Sequence, residues 1–263
     1  MTIRAIPDFW WLSESQAKQG WLVGVGHHAP LTDDDEPSRT RPNQQAPAIS
    51  GWFHSLDDVG KLSHDFKRHS PNVLAEWRSV CGNTNVYRTL TLWPEQSQVE
   101  PLQGPFLVDI DSRDWTNGYS ENLEDARRVA VLAVELLTSR WPLAEGRDFR
   151  VFFSGRKGFN IEVRPDLLGI GGSLDQQIRA SADRLEVLGE LAKRNSASTV
   201  IDRIYGNRFG YGLKHPYIRL YNSWNKWSSD CQAKKRLRLQ LSAADLKAQP
   251  IESLCSRAEN GEV

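Results

Sequence analysis

The chain has 263 residues, enough for one large domain or two small lobes. Apolar residues make up 39% and charged residues 25%, ordinary values for a globular protein that argue against a chain disordered throughout. The formal net charge is zero, which excludes a protein whose whole surface is built to coat nucleic acid.

In chain order, a Trp-rich start is followed by PLTDDDEPSRTRPNQQAPA at 30–48, which is Pro-rich, polar and without periodicity. It reads as a long exposed loop. The Trp-rich segments on either side of it must pack somewhere. Residues 56–79 carry helix-like spacing, and Val86 to Leu92 reads as a strand.

From residue 104 the pattern sharpens. Phe106 to Ile110 is a predicted strand. Ser120 is placed to cap a helix whose first turn carries Glu121 and Glu124, with Leu123, Ala126, Ala130, Ala133 and Leu137 as its apolar stripe and Pro142 beyond its end. Phe149 to Phe153 and Phe159 to Val163 are strands joined by a Gly-framed loop. A second helix runs from about Leu174 to Arg194, with Leu174, Ile178, Leu185 and Leu188 inward. Val200 to Ile201 and Tyr217 to Leu220 are short strands, and the polar tail from Ser242 reads as one weak helix and a frayed end. Strands alternating with two long helices predict an α+β fold, a sheet with helices on one face like an RNA-recognition-motif core. The expected division is an N-terminal lobe over 1–103, a sheet-and-helix lobe over 104–241 and a tail over 242–263.

Cys81, Cys231 and Cys255 are far apart, so no zinc site is expected, and their odd number fits a reducing cytoplasm. The start, MTIRAIPDFWWL, lacks the h-region of a signal peptide, and no apolar run approaches the roughly 18 residues of a membrane span. The expected location is cytoplasmic, without a membrane partner.

Chemistry concentrates in three places. "FLVDIDS" puts Asp109 and Asp111 at i and i+2 of a strand, so both share a face with Leu107 while Phe106, Val108 and Ile110 point to the core. Alone, such a pair is more often two solvated acids than a metal site. A third acid, Asp202, ends the short apolar strand Val200-Ile201. Three carboxylates from two strands suit two Mg²⁺ or Mn²⁺ ions, the arrangement used for phosphoryl transfer. Next, Ser154-Gly155-Arg156-Lys157-Gly158 places a hydroxyl and two cations on a tight turn, with Asn160 where the next strand begins. Such a turn suits phosphate oxygens, although a plain basic surface hairpin has the same composition. The third block is "KHPYIRLYNSWNKW", in which Arg219, Ser223 and Asn225 are further donors. Nine Lys and Arg lie between Arg203 and Gln240 against one acid, Asp230. Within that stretch Lys226, Lys234, Lys235 and Arg236 are the candidate path for single-stranded DNA, although a solvated basic face is the commoner use of such a run.

The series D-x-D on a strand, S-G-R-K-G, a hydrophobic residue followed by Asp, and then R-x-x-x-S-x-N resembles the archaeo-eukaryotic primase superfamily, which includes primase small subunits and bacterial primase-polymerases. The resemblance spans about Tyr87 to Trp227, and each motif is weak when taken alone. It implies a two-lobed catalytic module and template-directed nucleotidyl transfer from NTP or dNTP on single-stranded DNA, with two divalent ions. A helicase or another replication protein would be a partner. By motif, Asp109, Asp111 and Asp202 would hold the metals. Ser154, Arg156, Lys157, Asn160, Arg219, Ser223 and Asn225 would contact the nucleotide. The chain departs from the family pattern at Asn160, where the motif usually has His, and in lacking the zinc-binding insertion of many small subunits. Two other readings stay open: a degenerate nucleotide- or DNA-binding subunit of a replication or defence complex, which Asn160 favours, and a metal-dependent nuclease.

Overall fold

The computed structural model describes residues 3, 6–28, 52–53, 68–96, 99–112, 115–116, 119–120, 123–195, 199–201, 204–205, 217–225 and 235–262. After a 3₁₀ turn at Pro7–Phe9, the elements are α1 (Glu14–Ala17), β1 (Trp21–His28), β2 (Trp52–Phe53), β3 (Arg68–His69), α2 (Val73–Val80) and β4 (Val86–Pro94). There follow β5 (Phe106–Ser112), β6 (Trp115–Thr116), β7 (Tyr119–Ser120), α3 (Leu123–Arg140), β8 (Phe149–Phe153), β9 (Gly158–Val163), α4 (Leu174–Asn195) and β10 (Thr199–Ile201). The last are β11 (Tyr217–Arg219), β12 (Trp224–Asn225), β13 (Arg236–Leu237), β14 (Leu239–Leu241), α5 (Ala243–Ala248) and α6 (Ile251–Asn260). The fold is α+β, and no helix among the described residues is long and apolar enough to cross a membrane.

Two antiparallel sheets carry the architecture. One has the order β11-β4-β1-β2, with β3 also on β1. The other has the order β10-β5-β9-β8-β14. Its first six elements in chain order, β5-α3-β8-β9-α4-β10, form a β-α-β-β-α-β unit to which β14 adds a fifth strand. The register sorts its side chains. Phe106 lies opposite Val163, Val108 opposite Ile161, and Ile110 opposite Phe159, and Val151 and Phe153 continue the same face on β8. This face is buried beneath α3 and α4, whose Leu123, Ala126, Ala130, Ala133, Leu137, Leu185 and Leu188 lie in one cluster with it. Small residues at three positions of the α3 stripe let that helix approach the sheet closely. The other face carries Asp109 opposite Asn160, Asp111 opposite Gly158, and Leu107 and Arg150 each opposite Glu162.

The first sheet has its own core of Phe9, Trp10, Trp11, Trp21, Val23, Leu74, Trp77, Val86 and Leu92, so the Trp-rich start packs here. Asp8 fastens that start to the rest of the chain: its carboxylate accepts from Arg78 at 3.2 Å and from the Tyr221 amide at 2.8 Å.

Several expectations need correction. Ser120 lies in β7, paired with Trp115, and α3 begins at Leu123; residues 121–122, including Glu121, lie outside the described residues. Within 56–79 the described residues give a strand at Arg68–His69 and a helix only from Val73. The tail is not frayed: Ser242 forms a reciprocal capping box with Asp245, and Leu246, Leu254 and Ala258 are buried in the second core. β11, from the expected 104–241 lobe, returns to pair with β4 of the expected N-terminal lobe. The loop expected at 30–48 lies outside the described residues.

One glycine is dictated by proximity. A Cβ on Gly158 would stand 1.8 Å from the Ile110 carbonyl oxygen, so β9 could not lie against β5 at Asp111 with any side chain there. Gly158→Ala is expected to cost about 2–3 kcal/mol in urea unfolding, as forced overpacking does.

Candidate functional site

A cavity of about 300 Å³ lies between the two sheets. Tyr87 of β4 and Ile218 and Arg219 of β11 form one wall; Leu107, Asp109 and Asp111 of β5, the β8–β9 loop, Asn160 and Arg238 form the other. Segments separated by more than a hundred residues thus open onto one space. It holds four basic side chains, Arg156, Lys157, Arg219 and Arg238, and two carboxylates. The excess of positive charge suits a polyanion.

The carboxylates are on one strand face, as their spacing dictates. Asp111 is buried at 4% exposure and forms an ion pair with Lys157. Asp109 accepts from the Asn160 amide nitrogen, Nδ2 to Oδ1, at 2.5 Å. The direct β5–β9 pairing of these two residues makes the contact a consequence of register.

The loop is a closed hairpin. The Ser154 amide donates to the Gly158 carbonyl at 2.9 Å, and Gly155 takes a positive φ of 79° that glycine tolerates best. The Ser154 hydroxyl oxygen accepts from the Arg156 and Gly158 amides at 3.4 and 3.2 Å. The loop is therefore shaped from within by its serine, and Ser154, Arg156 and Lys157 all line the cavity.

Arg219 ties the sheets together. Its NH1 donates to the Ser154 carbonyl at 2.7 Å, and its guanidinium lies 5.4 Å from the Tyr87 ring centre. The Asn225 amide oxygen, in the orientation that satisfies its neighbours, accepts from both Arg219 NH1 and NH2 at 3.0 Å. Asn225 is thus a support behind Arg219. Ser223 is fully buried and away from the cavity. Its hydroxyl donates to the Asn83 carbonyl at 3.1 Å and accepts from the Val86 amide at 3.3 Å, so its geometry is that of a loop anchor rather than a nucleotide contact.

Of the expected DNA path, Arg236 needs correction. It is buried at 8% and donates Nε and NH2 to Glu259 of α6 at 3.0 and 2.8 Å, because α6 folds back over β13. Lys235 is exposed, with its Nζ 4.7 Å from the Trp224 ring centre. Lys226, Lys234 and Asp202 lie outside the described residues. Among those described, no group of three His, Cys, Asp or Glu side chains converges as a metal site; Asp109 and Asp111 supply two hard oxygen donors, a chemistry that fits Mg²⁺ or Mn²⁺.

Three cavity or near-cavity residues have no counterpart in the motifs: Tyr87, Glu162 and Arg238. Arg238 and Glu162 form a buried ion pair at 2.6 Å, with side chains 2% and 3% exposed. The Arg238 guanidinium lies 3.9 Å from the Phe152 ring centre, and Trp10 Nε1 donates to the other Glu162 oxygen at 2.9 Å. Burial pushes the Glu162 carboxyl up, but Arg238 and Arg88, with the Arg238 and Trp10 hydrogen bonds, more than offset it and hold it below the usual carboxylate range. A legible signal existed for Arg238: "RLRLQL", Arg236 to Leu241, alternates polar and apolar residues as a half-buried strand does.

A scan against protein-family models finds no match for this chain, and a search among curated proteins finds no similar one.

Proposed function

We propose that this chain is a metal-dependent, template-directed nucleotidyltransferase of the primase-polymerase kind. The observation that carries the proposal is that Asp109 and Asp111 open onto the same cavity as the Arg156-Lys157 loop and Arg219. A phosphoryl-transfer site needs carboxylates for the cations and a basic cradle for the phosphates, held together. The β-α-β-β-α-β sheet, with helices on one face and the site on the other, agrees with the RNA-recognition-motif-like core that the motif resemblance implies.

In this reading Asp109 and Asp111, with Asp202 from the sequence motif, hold the divalent ions. When bound, those ions would supply charge neutralisation for the triphosphate and activation of the primer hydroxyl. Arg156, Lys157 and Arg219 bind and orient the phosphates. Arg is suited to bidentate contact and Lys to a point charge. Tyr87 and Leu107 limit the space beside the carboxylates.

The test is incubation of the protein with a primed single-stranded DNA template, labelled dNTP or NTP, and Mn²⁺ or Mg²⁺. Template-dependent extension is expected. Degradation of the DNA without nucleotide would instead make the site a nuclease, and nucleotide binding without turnover would make it a binding module.

Single-stranded DNA binding is expected to weaken steeply between low and moderate salt, because neutralising phosphates releases counterions. Reversing Lys234 and Lys235 to Glu should lower the slope of log affinity against log salt by about one for each phosphate that is no longer neutralised. Arg236→Ala should destabilise the fold by uncoupling Glu259 and leave that slope unchanged. Filter binding over a salt series measures the slopes, and a salt-independent affinity would exclude the phosphate path.

A further inference from the structure

We infer that Arg238 is a positioning residue for the Asp109 carboxylate and that it acts through the Asn160 amide. The inference rests on the functional reading above, in which Asp109 is a metal ligand. It assigns Asn160 to the carboxylate rather than to the phosphates.

Asparagine has a donor end and an acceptor end, and its neighbours decide which way it points. Asn160 Nδ2 donates to Asp109 Oδ1 at 2.5 Å, and its Oδ1 accepts from Arg238 Nε in a long bond of 3.4 Å. A carboxylate on one side and a guanidinium on the other leave one sensible orientation. Arg238 is itself held from three further directions: NH2 donates to Glu162 at 2.6 Å, NH1 to the Arg219 carbonyl at 3.1 Å, and its plane lies against Phe152. Trp10 fixes the far oxygen of Glu162. A line of bonded groups therefore runs from the N-terminal segment through Glu162, Arg238 and Asn160 to Asp109. Glu162 and Asn160 stand two apart on β9, so both face the same side of the sheet. The β5–β9 register puts Asn160 directly across from Asp109.

Groups that hydrogen-bond a metal-binding carboxylate set its orientation, and their loss typically weakens metal binding about tenfold or more. A carboxylate fixed at one oxygen does not have to be ordered when the cation arrives. Asp109 and Arg238 bond opposite ends of the one Asn160 amide, which gives the inference a distinctive signature.

The experiment is titration of Mn²⁺ into the full chain without nucleotide, with free Mn²⁺ followed by electron paramagnetic resonance and folding checked by circular dichroism. The wild type is expected to bind. Asn160→Ala should weaken binding about tenfold. Arg238→Lys, which keeps the charge but loses the planar fork, should weaken it by a similar factor. The double variant should be no weaker than either single, because both act on one link. Should Arg238→Lys fail to fold, the pair Glu162→Gln with Arg238→Met removes both buried charges together and takes its place. Unchanged Mn²⁺ affinity in Asn160→Ala, or losses that multiply in the double variant, overturns the inference while leaving the metal site intact. An Asn160→Ala variant that loses nucleotide affinity alone assigns Asn160 to the phosphates and also overturns it. A wild type that binds no Mn²⁺ overturns the functional reading first, and the inference with it.

Discussion

Replacing Asp109 and Asp111 together with Asn is expected to reduce nucleotide incorporation about a thousandfold or more, since the charge stabilisation they organise is worth several kcal/mol. The fold should survive. Both residues sit at the cavity, and Asn keeps their size and part of their hydrogen bonding. The two positions differ in their partners, however. Asp111 is ion-paired with Lys157, so Asp111→Asn leaves a half-buried lysine beside a neutral amide. Asp109 meets Asn160, and Asp109→Asn leaves an amide facing an amide. Lys157→Ala separates two roles of that lysine. It should raise Mn²⁺ affinity in the absence of nucleotide, because a cation competing for Asp111 is gone. On the proposed function it should lower nucleotide affinity, because a cation assigned there to the phosphates is gone. Isothermal titration with each ligand measures both. Incorporation at normal rate in the double Asn variant, with folding confirmed by thermal melting, would falsify the assignment of the carboxylates.

What the sequence disclosed follows from periodicity. β5, β8 and β9 alternate or run apolar between turn residues, and α3 and α4 carry stripes at helical spacing, so their extents were legible to within a few residues. The sharing of a face by Asp109 and Asp111 needs only the two-residue period of a strand. In the first sheet β4 and β11 were legible as Val86 to Leu92 and Tyr217 to Leu220, but their neighbour β1 was not. β1, Trp21–His28, is interrupted by Gly24 and Gly26. Such a strand lacks the alternation that marks a half-exposed one. The short helices α5 and α6 have few turns over which a stripe can repeat, and their packing against α3 is a tertiary fact.

The same limit explains the site. The motifs flagged the carboxylates, the basic loop and Arg219, all on or beside elements with clear boundaries. Ser223 and Arg236 were grouped with them on spacing and charge alone. One proved to anchor a loop and the other to hold α6, because a hydroxyl or a cation in a polar stretch carries no information about which way it faces. Conversely, Glu162 in "FNIEV" lies on β9 and Arg238 in "RLRLQL" lies between β13 and β14, 76 residues away, and only the fold makes them partners.

That partnership sets the second large effect. Arg238→Ala is expected to destabilise the chain by about 3–5 kcal/mol, because it leaves Glu162 charged, buried and short of its nearest cation. Glu162→Gln should cost less than Arg238→Ala, since the amide still offers an oxygen to Trp10 or Arg238, but it leaves the buried Arg88 and Arg238 without their shared carboxylate. Glu162→Gln with Arg238→Met should lie well below the sum of the singles, since a buried pair replaced as a pair often changes stability little. Urea unfolding of the four proteins gives the coupling directly, and additive costs would mean that the two charges are stabilised independently. Acid supplies an independent check with a definite sign. Glu162 has a folded pKa below its unfolded value, so its contribution is fully present above the unfolded carboxylate range, near pH 4.3. That contribution is lost as pH falls through the folded value. The wild type should therefore lose stability below about pH 4 more steeply than the Glu162→Gln/Arg238→Met variant. Parallel acid-unfolding curves for the two would place the acid sensitivity of the fold elsewhere and remove Glu162 as its source.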